Sequence, residues 1–581
     1  MRALEATAGI GADPWRILPA IVAENAERFD AAPALLSERE SMSYGDLARR
    51  SRQYARWALH EKIEPGDVVA LMMSNRPEFV AIWLGLTQIG AVVALLSTGL
   101  VGRSLAHCIA VAQPKHAIVE TDLSKAFLSL RDLPPGLQLW LHGADVSGQT
   151  RLDTRLSQYG GETLSAAEAR PAALSEPALL IYTSGTTGLP KAARISHHRI
   201  MMWSAWFCGM TNAQGDDRMY DCLPLYHSVG GIVAVGAMLI AGGTVVIRDK
   251  FSVRHFWDDV VRWDCTLFQY IGELCRYLVA APTHPRETEH RLRLCCGNGL
   301  RTEIWAAFKD RFRIPQILEF YAATEGSFSL FNVEEEPGAI GRIPPFLAHR
   351  FPAALVKFDI ERGLPLRDAE GFCIACATDE IGEAIGRLKD DETNFAARFE
   401  GYTSQADSER KILRNVFAKG DAWFRTGDLM RRNAKGFFYF IDRVGDTFRW
   451  KGENVASLEV EEALRACPGV ADASVYGVII PHAEGRAGMA ALVVEPILDL
   501  VTLHNQLAER LPDYARPLFL RMRKEIALTE TFKQKKREIA AEGYDPARIA
   551  DALFFDDRAA KAYIPLDQAL YEALQAGRQR L

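Results

Sequence analysis

The chain has 581 residues, 48% hydrophobic and 24% charged. That ordinary globular balance excludes bulk disorder and collagen-like structure and leaves room for about three to five structural units. With 68 Lys and Arg against 74 Asp and Glu, the net charge of −6 gives no basic field for nucleic acid. Ten cysteines are too few for a disulfide scaffold, and neither Cys295–Cys296 nor Cys373-x-x-Cys376 has the further ligands of a zinc site, so structural thiols in a reducing cytoplasm are expected.

The chain opens MRALEATAGIGADPWRIL, which lacks an apolar run of signal-peptide length. Helical patterns then alternate with short β-branched runs: VVALMMS after Pro65-Gly66, AIVE near 117, ALLIYTS at 178–184 and TVVIRD at 244–249. This rhythm predicts an α/β fold with helices covering a mostly parallel sheet. Residues 79–102 and 229–247 carry no charge and exceed the ~18 residues of a membrane span. Glycines and polar residues interrupt both, so each is read as a buried helix, a glycine turn and a buried strand. From about Gly436 the texture changes. GFFYFIDR reads as a strand, VGDTFRWKGENV as a loop, LEVEEALRAC as an amphipathic helix opened by Ser457, ADASVYGVII and GMAALVVE as strands, and 501–511 as a helix. That β-α-β-β-α order predicts a small α+β domain.

The strongest chemical signal is ALLIYTSGTTGLPKAA at 178–193. A buried strand runs into Thr183, Ser184, Gly185, Thr186, Thr187 and Gly188, with Lys191 beyond. The two glycines permit tight turns whose N–H groups form an anion nest, four hydroxyls add donors, and Lys191 adds a positive charge. The pattern suits a polyphosphate better than a plain surface loop. It is not a Walker A loop, because Pro190 precedes the lysine and no Ser or Thr follows it.

TSGTTGLPKAA resembles the phosphate loop of the adenylate-forming enzymes, and further motifs of that superfamily follow in order: LPLYHSVGG (223–231), FYAATEG (320–326), FRTGDL (424–429), DRVGDTFRWKGENV (442–455) and TFKQKKRE (531–538). The phrases YDCLPLYHS, FQYIGELCRYL, GNGLR, GDTFRWKGENV, EGRAGMAA and YIPLDQALYEALQAG are similar to its fatty acid transport protein, or very-long-chain acyl-CoA synthetase, branch. The resemblance implies a large N-terminal domain of several layered subdomains (1–441), a hinge (442–446) and a small mobile α+β domain (447–581). It also implies ATP, Mg²⁺ and coenzyme A as cofactor and co-substrates, with a fatty acid as substrate. A carboxylate is a poor electrophile, and transfer of AMP makes a mixed anhydride that a thiol can attack. The protein must therefore cradle phosphates, neutralise charge at phosphorus and exclude water.

By the same resemblance, Thr324 contacts the α-phosphate and Glu325 helps hold Mg²⁺. Tyr321 stacks on adenine, Gly297, Asn298 and Gly299 line the base pocket, and Asp428 and Arg443 meet the ribose. His227, Gly272 and Ala322 line the acyl pocket. Lys451 and Gly452 line the pantetheine tunnel, and Gly445 is the hinge. Lys533 bridges the attacking carboxylate and the α-phosphate. It lies in a stretch, 521–537, with seven Lys or Arg against two Glu, a composition that otherwise reads as a solvated face, and Lys535 and Lys536 are alternatives for its role. Acetate-type relatives carry a tryptophan where this chain has Ala322, so a long acyl chain is not blocked; the branch usually has glycine there. The leading expectation is a long-chain or very-long-chain fatty acyl-CoA synthetase, cytoplasmic or peripheral on the inner membrane face, supporting uptake by trapping. Oligomeric state is not legible. Competing expectations are activation of another bulky acid such as a sterol-type acid, loading of a carrier protein, and a membrane fatty acid transporter.

Overall fold

The computed structural model describes residues 1–581 except 132, 171, 185–188, 327, 389–398, 452, 484, 530–533, 559 and 580–581, and omits the side chain of residue 184. The chain forms two compact units: Met1–Phe351 with Arg387–Leu413 and Ala422–Phe424, and Pro352–Gly386 with Arg414–Asp421 and Arg425–Leu581.

In the first unit one sheet runs in the order Thr150–Arg151, Gln138–His142, His116–Glu120, Val68–Met72, Val92–Leu95, Pro177–Ser184, Pro190–Ser196. Its strands are parallel except the last pair, a hairpin. A second sheet orders Pro33–Leu36, Thr244–Ile247, Arg218–Asp221, Leu267–Ile271, Leu294–Asn298 and Ile317–Ala322 as parallel neighbours. Ser329–Asn332 follows antiparallel. The expected mostly parallel α/β architecture is therefore present.

Both charge-free stretches resolve as expected. The first is the helix Pro77–Gln88, a turn at Gly90 and the fully buried strand Val92–Leu95. The second is a turn of π-helix Val229–Ala234 continuing as the helix Val235–Ala241, which Gly242 ends at φ +75° before the strand Thr244–Ile247. A left-handed residue suits glycine because no Cβ is penalised. Trp83, Phe79 and Leu86 are buried from water, each worth about 1.5–3 kcal/mol of transfer free energy. Among the described residues no helix is long and apolar enough to cross a membrane. All ten cysteines are free thiols.

In the second unit a five-stranded sheet orders Val470–Val478, Ala487–Val494, Phe519–Arg523, Leu553–Asp557 and Ala562–Pro565. Of the expected β-α-β-β-α run, the second and third strands open this sheet as Val470–Val478 and Ala487–Val494, whereas the first, Phe437–Arg443, pairs instead with Ala422–Arg432. The expected loop after Arg443 is instead a hairpin, Phe448–Trp450 with Glu453–Val455. Phe448, Trp450 and Val455 are buried, and this apolar burial holds strands too short to read in sequence. The helix Ser457–Arg465 opens where expected, but the Ser457 hydroxyl does not cap it. Ser457 donates its N–H to Asp442 Oδ2 at 2.6 Å, and its hydroxyl accepts from Lys536 at 2.6 Å.

Candidate active site

The glycine- and threonine-rich segment joins the two strands of the hairpin, with Thr183 opposite Lys191 and Ser184 opposite Pro190. Gly185, Thr186, Thr187 and Gly188 lie outside the described residues. Lys191 Nζ is 2.9 Å from Asp407 Oδ1 and 5.7 Å from the centroid of the Tyr402 ring. Burial opposes charge on Asp407, but Lys191 outweighs it and holds the carboxyl below its ordinary range.

Thr324 and Glu325 sit on a bend directly after the strand Ile317–Ala322, not at a helix start. Glu325 is 7% exposed. Its Oε1 accepts the Tyr402 hydroxyl at 2.6 Å and lies 3.5 Å from Lys411 Nζ. The Thr183 side chain also interacts with the Tyr402 hydroxyl. Burial and the adjacent Glu325 carboxylate push that phenol well above its usual range, so it remains a donor. The Thr324 hydroxyl is 3.2 Å from Ser228 Oγ, and its carbonyl accepts from Arg199 at 2.9 Å. His227 thus neighbours a residue that touches the Thr-Glu bend. Its ring lies 4.9 Å from that of Tyr226, and its carbonyl accepts the Gly231 N–H at 2.8 Å.

Two of the expected pocket glycines, Gly297 for the base and Gly272 for the acyl group, have packing reasons of their own. A Cβ on Gly297 would stand 2.3 Å from the Tyr270 carbonyl oxygen, and one on Gly272 would stand 1.9 Å from the Gly299 carbonyl oxygen. Asn298 ends the strand Leu294–Asn298, and Gly299 turns out of it at φ +81°. Beneath that turn, fully buried Glu319 accepts the N–H of Gly299 at 2.9 Å, that of Leu300 at 3.0 Å and the Tyr270 hydroxyl at 2.6 Å. Burial nevertheless dominates and pushes its carboxyl up to about 8. Tyr321 packs edge-on to Phe328 at 5.6 Å, and Ala322 is exposed at the end of the same strand.

Within the second unit, Asp428 and Arg443 face each other across paired strands, with Arg443 Nε 3.9 Å from Asp428 Oδ1. Gly445 does not adopt a left-handed conformation, and a Cβ there would meet only Arg537 Nη2 at 3.7 Å. Lys451 occupies the hairpin turn at φ +52°, its Nζ 4.0 Å from Asp513. Gly452 and Lys533 lie outside the described residues. Lys536 does not belong to a solvated face: its Nζ is 2.6 Å from Glu461, which is itself buried. Lys535 is 3.9 Å from Glu538 on the surface.

Sequence reasoning missed Tyr402, Asp407, Lys411, Ser228, Arg199 and Glu319. Two carried a signal: Ser228 lies inside the motif LPLYHSVGG, and Glu319 is the single carboxylate inside the apolar run ILEFYA. The first unit brings Thr183, Lys191 and Glu325 together around Tyr402, with Thr324 next to Glu325 in the chain and Gly297 and Tyr321 on adjacent strands. Hydroxyls and a lysine at the end of buried strands can bind a polyphosphate, and a carboxylate beside them can hold a cation that offsets its charge.

Residues 22–350 match the AMP-binding enzyme family, and 459–533 match the AMP-binding enzyme C-terminal domain. The chain is 40% identical over 555 residues to long-chain fatty acid transport protein 6 of Mus musculus, covering 94% of this chain and 88% of that one. It is likewise 40% identical over 568 residues to long-chain fatty acid transport protein 1 of Homo sapiens, covering 97% and 87%. Among solved structures, an anthranilate CoA ligase in complex with anthranoyl-AMP shares the fold at TM-score 0.77 and 19% identity over 91% of this chain and 97% of that one. ATP-bound MatB from Rhodopseudomonas palustris shares it at TM-score 0.74 and 21% identity over 90% and 98%. The chain therefore belongs to the AMP-binding enzyme family, among its long-chain fatty acid transport protein relatives.

Proposed function

We propose that this protein is an AMP-forming fatty acid–CoA ligase. It converts a long-chain fatty acid and ATP to acyl-AMP and pyrophosphate, then acyl-AMP and coenzyme A to acyl-CoA and AMP. The observation that carries this reading is the gathering of Thr183, Lys191 and Glu325 around Tyr402, with Thr324 beside Glu325, in the unit that matches the AMP-binding model. The names of the relatives support a long-chain acid, and exposed Ala322 leaves that strand end without a bulky stopper.

The residues fit a metal that arrives with the nucleotide. Among the described residues no group of three His, Cys, Asp or Glu could hold a metal unaided, whereas Glu325 is a single hard carboxylate beside the phosphate hairpin. Mg²⁺ is commonly held by one or two carboxylates plus substrate phosphates, and it would neutralise charge on the departing pyrophosphate. Glu325 would ligate it. Thr183 to Lys191 bind the β- and γ-phosphates, Thr324 donates its hydroxyl to the α-phosphate, and Tyr321 with Gly297, Asn298 and Gly299 holds the base. Asp428 and Arg443 bind the ribose. Lys533 stabilises charge on the attacking carboxylate and the α-phosphate. The segment 447–581 then turns about 442–446, with Gly445 at the hinge, to bring Lys451 and Gly452 to the pantetheine arm. His227, Gly272 and Ala322 border the acyl group. Peripheral contact with a membrane surface would give access to the acid, and thioester formation would trap it inside.

The test is pyrophosphate release over carboxylic acids of two to 26 carbons, with and without coenzyme A, and with a holo-carrier protein in its place. Release that rises with chain length, and thioester only with coenzyme A, is expected. Equal kcat/KM for acetate and palmitate refutes the chain-length reading, and transfer to the carrier protein alone refutes the coenzyme A reading.

A further inference from the structure

Tyr402 belongs to none of the motifs quoted above, yet it lies against Thr183, Lys191 and Glu325 at once. The segment around it adds an edge to the outer strand of the hairpin: Arg194 donates its N–H to the Gly401 carbonyl at 3.0 Å, and Thr403 donates to the Ala192 carbonyl at 3.0 Å. Gly401 turns at φ +68° just before the tyrosine. The helix that follows, Gln405–Glu409, is capped by Ser404 and carries Asp407 to Lys191. Tyr402 itself is 4% exposed. Its ring lies beneath Lys191, its hydroxyl interacts with the Thr183 side chain, and the same hydroxyl donates to Glu325 Oε1.

Glu325 needs such a partner. It stands on a bend, where no helix or strand hydrogen-bond ladder fixes its backbone. A buried tyrosine hydroxyl requires a partner, and a carboxylate that accepts it loses rotational freedom. Phenylalanine would fill the same space and keep the ring under Lys191, so the hydroxyl is the part of Tyr402 that packing alone does not explain. Groups that hold a metal-binding carboxylate from behind commonly set the metal's affinity without touching it.

We propose that Tyr402 is a positioning residue whose hydroxyl fixes the Glu325 carboxylate against the phosphate hairpin, so that Glu325, Thr183 and Lys191 meet a metal–triphosphate as one preformed surface. This rests on the reading of Glu325 as the metal carboxylate and of the hairpin as the phosphate site. Lys411, 3.5 Å from the same oxygen, is a second and weaker support.

The experiment uses the full chain as wild type, Tyr402→Phe, Lys411→Met, Glu325→Gln and the Tyr402→Phe/Glu325→Gln double variant. Binding of Mn²⁺ in the presence of ATP, without fatty acid, is read from the loss of the free-ion electron paramagnetic resonance signal. The Mg²⁺ dependence of pyrophosphate release is measured beside it. Tyr402→Phe is expected to weaken Mn²⁺–ATP association about ten-fold and to raise the half-saturating Mg²⁺ correspondingly, the usual scale for removing a group behind a metal ligand. Lys411→Met, at a less buried site, should shift both in the same sense by less. In the double variant Tyr402→Phe should add nothing to the loss from Glu325→Gln, because its effect passes through that carboxylate. Unchanged Mn²⁺–ATP affinity in Tyr402→Phe, or losses that multiply in the double variant, overturns the proposal while leaving the Glu325 reading intact. If Glu325→Gln itself leaves Mn²⁺–ATP binding unchanged, the metal reading of Glu325 falls and the role of Tyr402 falls with it.

Discussion

Glu319 links stability to pH through the floor of the candidate base pocket. Its carboxyl is raised from an ordinary value near 4.5 to about 8 by complete burial, although three donors point at it. The raised value fixes the sign. Between pH 4.5 and 8 the unfolded chain has lost this proton and the folded chain keeps it, so stability is greatest below 4.5 and falls as pH rises to about 8. A gap of that size corresponds to roughly 4–5 kcal/mol across the window, at up to ~1.4 kcal/mol per pH unit. Glu319→Gln removes the titration and keeps the shape, but its amide cannot accept from all three donors, and one orphaned donor costs about 1–3 kcal/mol. The two stability curves should therefore cross, with wild type more stable near pH 5 and the variant more stable above pH 8. Urea unfolding of both proteins at half-unit steps from pH 5 to 8.5 measures this, read as their difference at each pH. A difference that stays flat across the range would refute the reasoning, because Glu319 would then be ionised in the fold.

Four other outcomes test the site. Lys533→Ala should slow pyrophosphate release by about 10²–10³ while leaving thioester formation from preformed acyl-adenylate and coenzyme A near wild type. Gly445→Pro should form and hold the adenylate with thioester stalled, since proline restricts φ; stopped-flow of each half-reaction in both variants decides, and equal slowing of both steps by Lys533→Ala removes the alternating-domain reading. Ala322→Trp, at an exposed strand end, should depress kcat/KM for palmitate far more than for acetate. Asp428→Ala should raise the KM for ATP about 10–100-fold with kcat little changed, as expected for loss of hydrogen bonds from a charged group in uniform binding.

Much of this site was legible because its chemistry is local. ALLIYTS reads as a buried strand from its unbroken apolar run, and the hydroxyls, glycines and lysine after it are contiguous in the sequence. The helix–turn–strand reading of both charge-free stretches followed from glycine placement, which a membrane span would not need. What stayed illegible depends on tertiary contacts. GYTSQADSER looks like a polar loop, yet it supplies Tyr402 to Glu325 and Asp407 to Lys191, residues far apart in sequence. Lys536 sits in a basic run that reads as solvated, and only the buried Glu461 across the fold gives it another role. The hairpin Phe448–Trp450 with Glu453–Val455 is too short for periodicity to register, and burial of Trp450 decides it. Gly297 and Gly272 were expected to line the base and acyl pockets, and the structure shows that backbone packing in the protein itself also requires a glycine at each.

The most direct test of the account is the product balance of one reaction containing purified protein, ATP, Mg²⁺, palmitate and coenzyme A. Chromatography should find AMP, pyrophosphate and palmitoyl-CoA in equal amounts, and omission of coenzyme A should leave enzyme-bound palmitoyl-AMP with pyrophosphate. ADP and orthophosphate in place of AMP and pyrophosphate, or palmitoyl-CoA without nucleotide cleavage, would contradict it.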